Sequence, residues 1–288
     1  MKKIDIHCHT SNRAIKGTVH SNATVESITE KARSYEIDKV VLLTTYFPHK
    51  ESGISNFRLY DWIRNINLNN APDGPEFLMF GSLDFEHYFF QGYNELKELA
   101  ERQLIKGIKI YTCYQNIDIK SNKFKTILQL ARDFKLPVMF HAGYSYATRR
   151  KYGQDTIATP YNANTLESVA KDNEDIVMIF SHMSKPFFHD ILRVVKEVPN
   201  VYTDMSGLID SKYDEEEIPV CIQEIRTFTQ YEWGIDKLLF GTDYPVQTHE
   251  HSIYFIEEAT KNYPHREKII RNIYFNNAAK ILKLDERI

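Results

Sequence analysis

Six residues carry the chemistry that this sequence offers: His7, His9, Lys109, His141, His182 and Asp243. His7 and His9 flank Cys8 at the end of a short β-rich stretch, Ile4-Asp5-Ile6. Residues two apart on a strand point to one face, so both imidazoles can hold one ion, with Cys8 turned away into the core. His141 follows Pro137-Val138-Met139-Phe140, and His182 follows Ile179-Phe180-Ser181. Asp243 follows Leu239-Phe240-Gly241-Thr242 and precedes Tyr244-Pro245, while Lys109 lies within Gly107-Ile108-Lys109-Ile110-Tyr111. Imidazole and carboxylate donors suit Zn²⁺ and related divalent ions. Three histidines and one aspartate around such an ion leave room for water, whose pKa falls from about 16 to about 7 when metal-bound.

Each residue alone has a plainer explanation. A His-x-His dipeptide can simply end a strand, and His141 or His182 can be a hydrogen-bonded core histidine. Asp243 can cap the helix that follows it, and Lys109 can be a structural cation. Their co-occurrence is harder to obtain from core burial, because buried ionisable groups are costly unless paired or metal-bound.

The elements that must position them recur along the chain. Eight short apolar runs can be counted: Ile4-Asp5-Ile6, Val40 to Leu43, Phe77 to Phe80, Ile108 to Tyr111, Val138 to Phe140, Ile176 to Phe180, Val201 to Tyr202 and Leu238 to Phe240. Several are apolar at consecutive positions, as strands buried on both faces must be. Between them lie segments with helical spacing, such as Val25, Ile28, Ala32 and Tyr35, with Asn22 or Thr24 as N-cap. Strand alternating with helix means parallel strands with right-handed crossovers. Eight such units predict one closed (β/α)₈ barrel domain over residues 1–288, with a final helix from Arg266 to Leu284 on its outside. Active sites of this fold lie at the C-terminal ends of the strands. The six residues fall at the ends of strands one, four, five, six and eight.

Composition narrows the partners. The 288 residues include 36 Lys plus Arg and 39 Asp plus Glu, a formal net charge of −3. That balance gives no basic field for nucleic acid and no polybasic membrane anchor. No apolar run approaches a bilayer span. Asp5, His7 and His9 interrupt any signal-like region after Lys2-Lys3. The cysteines, Cys8, Cys113 and Cys221, are odd in number and widely spaced, which speaks against a disulfide framework or a thiolate zinc site. A reducing cytoplasm is the expected compartment. Abundant Tyr (18) and Phe (17) give helices large surfaces, compatible with a homodimer, though no residue marks an interface.

The ordered set of segments resembles the amidohydrolase superfamily, most closely its amidohydrolase-2 branch of metal-dependent barrel hydrolases. The segments are Ile4-Asp5-Ile6-His7-Cys8-His9, Gly107-Ile108-Lys109-Ile110-Tyr111, Met139-Phe140-His141-Ala142, Phe180-Ser181-His182 and Leu239-Phe240-Gly241-Thr242-Asp243-Tyr244-Pro245. The tail Ile273 to Leu282 is similar to the branch's closing helix. The resemblance implies His7, His9, His141 and Asp243 as metal ligands. It implies His182 as the group that polarises substrate or steadies the water, and Asp243 as general base. Lys109 matches a position that is a carboxylated, metal-bridging lysine in binuclear members. Many branch members use one metal, so one divalent ion, Zn²⁺ first, and an uncarboxylated Lys109 are expected, with a second metal as the less favoured arrangement. Tyr111 departs from related sequences, which often carry His there.

The implied activity is hydrolysis, with metal-activated water attacking a carbonyl-type carbon of a small substrate. A second reading is non-oxidative decarboxylation of an aromatic or unsaturated acid, which the branch also contains. A third is a catalytically silent metal-binding relative, against which the retention of His182 and Asp243 argues. Substrate signals are thin. The loop after the fifth strand holds Tyr144, Tyr146, Arg149, Arg150, Lys151 and Tyr152, and Arg149 or Arg150 is the better candidate for a substrate carboxylate. The first loop carries Arg13, Lys16 and His20 as a candidate lid. The acidic run Asp214 to Glu217 reads as a helix start.

Overall fold

Apolar and β-branched residues on consecutive positions form eight short parallel strands, because both faces of each strand are covered. The computed structural model describes residues 1–11, 23–46, 53–69, 74–143 and 161–284. The strands are β1 (Ile4–Cys8), β2 (Lys39–Leu43), β3 (Glu76–Gly81), β4 (Gly107–Ile110), β5 (Val138–Phe140), β6 (Met178–Phe180), β7 (Val201–Asp204) and β8 (Leu238–Leu239). They form one sheet in chain order. Ile6 N donates to Phe240 O at 3.1 Å, and a parallel bridge joins Cys8 to Tyr244, so β8 returns to β1. The result is the nearly closed (β/α)₈ barrel that the alternation predicts.

Helices fill the crossovers: α1 (Val25–Ser34), α2 (Asn56–Asn69), α3 (Phe89–Glu101), α4 (Asn122–Asp133), α5 (Ala163–Lys171) and α6 (Phe188–Glu197). After β7 come α7 (Ile218–Thr229) and α8 (Glu232–Ile235), and after β8, α9 (His249–Thr260). Of the two caps the sequence offers for α1, Thr24 does the work, accepting from Ser27 N. The acidic run Asp214 to Glu217 does precede a helix, as a 3₁₀ turn leading into α7.

Two layers of core follow from alternation along each strand. Ile4, Ile6, Val41, Leu43, Met139, Ile179 and Leu239 meet inside the barrel. Val40, Leu42, Val138, Phe140, Met178 and Phe180 point outward into the sheet–helix layer. Lys109 is fully buried between Ile108 and Ile110, which belong to the outer layer, so the ammonium takes an inward position. Strict alternation from Ile4 and Ile6 would carry Cys8 inward and His7 outward. The pairing of β1 with β2 shifts register between Asp5 and Cys8, and Cys8 instead joins the outer layer. That irregularity re-aims the strand end, a common use of a bulge beside a site.

The C-terminal segment is helical, as expected. It runs as α10 (Arg266–Arg271), a π-helical turn (Asn272–Asn276) and α11 (Asn277–Leu282). Ala278, Ala279, Ile281 and Leu282 pack against the barrel-interior residues Ile4 and Leu239, and Asn277 Nδ2 donates to Leu238 O at 2.8 Å. Ile269, Ile270, Ile273 and Tyr274 of its first part pack in the outer sheet–helix layer, as expected, while α11 sits under the barrel at the strand starts. Small apolar residues there let the helix approach strand starts that would otherwise expose the lumen.

One clamp between crossover helices gives a test of the outer shell. Glu167 on α5 takes both Arg193 nitrogens of α6, at 3.1 and 2.6 Å, and Lys171 at 2.6 Å. Hydrogen bonding to Arg193 and then Lys171 lowers the Glu167 pKa from 4.5 to about 2. A depressed carboxylate contributes stability above its unfolded value, and loses it as pH falls through the folded one. Glu167→Gln is therefore expected to cost about 1 kcal/mol at neutral pH, allowing for solvent screening. Urea melts should show the gap from wild type narrowing from pH 4.5 towards 2. A constant gap would assign the cost to something other than the charge.

Candidate metal centre

The ends of β1 and β8 are tied together by Asp5. Its Oδ1 accepts from His7 N at 3.1 Å and from Thr242 N at 3.0 Å, and its Oδ2 accepts from Thr242 Oγ1 at 2.7 Å. Asp243 N donates to His7 O at 2.7 Å. These bonds set His7 and Asp243 side by side across the barrel seam. Asp243 has φ of 58°, a left-handed conformation that Asp tolerates better than most residues.

Three predicted ligand atoms converge there. Asp243 Oδ1 lies 3.0 Å from His9 Nε2 and 3.3 Å from His7 Nε2. His7 Nε2 is buried without a hydrogen-bond partner. A buried polar atom left unpaired costs free energy, and a cation at this point would satisfy it. The donor set of two imidazoles and a carboxylate fits a divalent ion. Burial works against protonating His7, as does Lys109, yet the carboxylates Asp204 and Asp243 outweigh both and hold its pKa above 6.5. The Asp243 carboxylate is held far below its usual range: burial opposes this, but His7 and His9 prevail. An environment that favours a proton on His7 favours a metal cation for the same reason.

The other two histidines follow β5 and β6, three and two strands around the barrel from β8. His141 directly follows β5, and His182 lies in the turn Ser181–Ser184 after β6. His182, Met183 and Ser184 all have positive φ, a run that turns the His182 ring back over the strand ends. His141 Nδ1 meets His182 Nε2 at 3.2 Å, and the His7 and His182 rings lie 4.8 Å apart. His141 therefore stands beside the converging trio with its Nδ1 engaged by His182. Burial lowers the His182 pKa to about 4 and pushes His141 well below 6.5, so both rings are neutral at pH 7.

Lys109 Nζ donates to Ser181 Oγ at 3.0 Å. Burial lowers its pKa to about 8, against the pull of Asp204 and Asp243. Tyr111 is buried, its ring 6.2 Å from that of His9 and 5.5 Å from Lys109 Nζ. Arg149 and Arg150, with the rest of their basic loop and the first-loop residues Arg13, Lys16 and His20, lie outside the described residues. Asp84 Oδ1 accepts from Glu86 N and His87 N, which makes it a turn-forming residue.

Sequence reasoning missed the contribution of β7. Asp204 is fully buried, with Oδ2 3.1 Å from His7 Nδ1 and Oδ1 accepting from His182 N at 3.0 Å. Ser206 Oγ lies 2.9 Å from His7 Nδ1 and 3.1 Å from His182 Nδ1. The signal was available. Asp204 ends the run Val201-Tyr202-Thr203, the same relative place that singled out His141 and His182.

An eight-stranded parallel barrel with histidines and aspartates gathered at the strand ends defines a class, the TIM-barrel enzymes with a metal-type site. The match of the amidohydrolase family model to residues 4–284 then makes the chain a member of the amidohydrolase family. Solved structures agree in fold. A probable 2-pyrone-4,6-dicarboxylic acid hydrolase from Acinetobacter baumannii, with citric acid bound, is 17% identical at a TM-score of 0.67, covering 99% of this chain and 100% of that one. The 5-carboxyvanillate decarboxylase LigW from Sphingomonas paucimobilis is 15% identical at a TM-score of 0.64, with 99% of each chain covered. An uncharacterised TIM-barrel protein from Bordetella bronchiseptica reaches a TM-score of 0.70 at 17% identity, over 98% of this chain and 99% of that one. Among curated proteins, none matches significantly. Among the described residues, no helix is long and apolar enough to cross a membrane.

Proposed function

We propose that this chain, acting as one barrel domain, is a metal-dependent hydrolase of a small, anionic carbonyl compound, with a single zinc ion. The observation that carries the reading is the convergence of His7 Nε2, His9 Nε2 and Asp243 Oδ1 on a buried point, with His7 Nε2 otherwise unpartnered. His141 completes the proposed ligand set. A bound divalent ion supplies Lewis acidity, which activates water and polarises a carbonyl. The chain's own groups do the rest. Asp243, ionised at neutral pH, takes the proton from the attacking water and passes it to the leaving group. His182, neutral, works on the same space through His141, whose Nδ1 it engages.

Charge supports an anionic substrate. Among Asp204, Asp243 and Lys109, the carboxylates carry two negative charges and the ammonium one positive, one net negative charge over the three buried groups. A divalent ion reverses that to one net positive charge, which attracts a carboxylate or an enolate-like anion. Lys109 stays an ammonium in this balance, because carboxylating it would restore a negative site.

The test is metal analysis of purified protein, followed by a panel of lactones, amides and esters bearing a carboxylate, alongside aromatic carboxylic acids. One zinc per chain and hydrolysis of a panel member are expected. Carbon dioxide release from an aromatic acid would replace hydrolase with decarboxylase. Bound metal with no turnover on any compound would favour the silent relative.

A further inference from the structure

The end of β7 contacts two of the site histidines and reaches a third through one of them, and its hydrogen bonds decide which ring nitrogen of each carries a proton. Asp204 Oδ2 is an obligate acceptor, so His7 Nδ1 at 3.1 Å must be the protonated nitrogen. His7 Nε2 is then a lone pair facing Asp243 and the proposed ion. The Ser206 carbonyl is likewise only an acceptor, so His182 Nδ1 at 2.9 Å carries a proton. His182 Nε2 then accepts, and its neighbour His141 Nδ1 at 3.2 Å must donate. That leaves the lone pair of His141 on Nε2.

We propose that Asp204 and the Ser206 carbonyl form a tautomer-setting element: together they fix His7 and His141 as Nδ1–H tautomers whose Nε2 atoms ligate the metal. The inference rests on the metal reading above. Asp204 is thereby a positioning residue and not itself a ligand, although its carboxylate lies near His7 and His182 in a grouping that could hold a second ion. Its acceptor sites are already filled. Oδ1 takes His182 N at 3.0 Å, Ser206 N at 3.1 Å and the Ser206 hydroxyl, and Oδ2 takes His7. The same logic gives His182 an accepting Nε2. That Nε2 is already taken by His141 Nδ1, so of the two duties that family resemblance implies for His182, donating to a carbonyl oxygen does not fit, and steadying water falls to it only through His141.

Asp204→Asn separates this role from bulk, and the imidazole spectra of the wild-type zinc form separate it from charge. Three donors hold the oxygen at the Oδ1 position, so an asparagine keeps its carbonyl there and turns its amide NH₂ toward His7 Nδ1. Facing that donor, His7 Nδ1 accepts in preference to donating to Ser206 Oγ at 2.9 Å, its proton moves to Nε2, and the ligating lone pair is lost. Zinc affinity, measured by competition with a chromophoric chelator, is expected to fall by about 10- to 100-fold. The melting temperature of the metal-free protein should change little by comparison. Should Asp204→Asn fail to fold, the wild-type zinc form answers instead, by ¹⁵N–¹H correlation spectra of its imidazoles. Nδ1–H on His7 and His141 supports the proposal, and Nε2–H on either overturns it. Wild-type zinc affinity retained in Asp204→Asn overturns it while leaving the metal reading intact. Two ions in wild type and one in the variant would make Asp204 a ligand and overturn it. No zinc in the wild type removes the metal reading, and this inference with it.

Discussion

Asp243→Asn should lower kcat by about 10³-fold or more on whichever panel compound the wild type turns over, with the fold retained. The carboxylate is the site's proton acceptor: Oδ1 faces both His7 Nε2 and His9 Nε2, and its pKa is held far below the usual range. Asparagine copies the shape but has no basic oxygen, and its amide hydrogens would face two imidazole nitrogens that must keep their lone pairs for a metal. The loss therefore falls on proton transfer and on zinc retention together. The backbone has no reason to move. The left-handed φ at this position suits Asn as well as Asp. The bond from Asp243 N to His7 O uses no side chain. Circular dichroism and melting should match wild type within a few degrees, while single-turnover assays and zinc analysis show the loss. A variant that turns over at the wild-type rate would remove Asp243 from the proposed chemistry.

The parts of this molecule that were legible in the sequence share one property: they depend on local pattern. Runs such as Val138 to Phe140 reveal strands because burial on both faces demands apolar residues at every position. Ligand-type residues just beyond those runs reveal the site because the fold places strand ends in one mouth. What escaped depended on register or on long-range contact. His7 faces the centre only because β1 shifts register between Asp5 and Cys8. The alternation rule gave the relation between His7 and His9 but not the phase of the strand. Asp204 stands two residues past Val201-Tyr202, as His182 stands past Phe180, but its role appears only against His7, 197 residues away. Asp5 looked like one polar residue in an apolar run. Its importance lies in bonds to Thr242 that no local pattern encodes. The closing helix was legible from its tail, but its seat under the barrel needed the lumen residues it covers.

Gly207 carries the largest structural prediction, because no side chain fits there. Its φ is +55°, and a Cβ would fall 2.5 Å from Asp243 Oδ2 and 3.0 Å from His182 Nδ1. Gly207→Ala must therefore adopt a left-handed backbone, at about 1 kcal/mol, and push the Asp243 carboxylate away from the imidazoles. Misplacing a catalytic group by about 1 Å can cost about 10²-fold in rate, so kcat/KM should fall by that order, with zinc affinity falling alongside. Loss of stability alone cannot account for this pattern, and Gly92→Ala provides the control. There a Cβ would lie 2.6 Å from Leu83 Cβ, in the layer between α3 and the barrel and outside the metal centre. Overfilling that contact should cost about 1–3 kcal/mol and lower the melting temperature, yet leave zinc affinity at the wild-type value. If both variants lose stability but only Gly207→Ala loses zinc, the close approach of the β7 turn to Asp243 is a requirement of the site. If they lose zinc equally, general destabilisation explains both, and the segment after β7 has no special claim on the carboxylate.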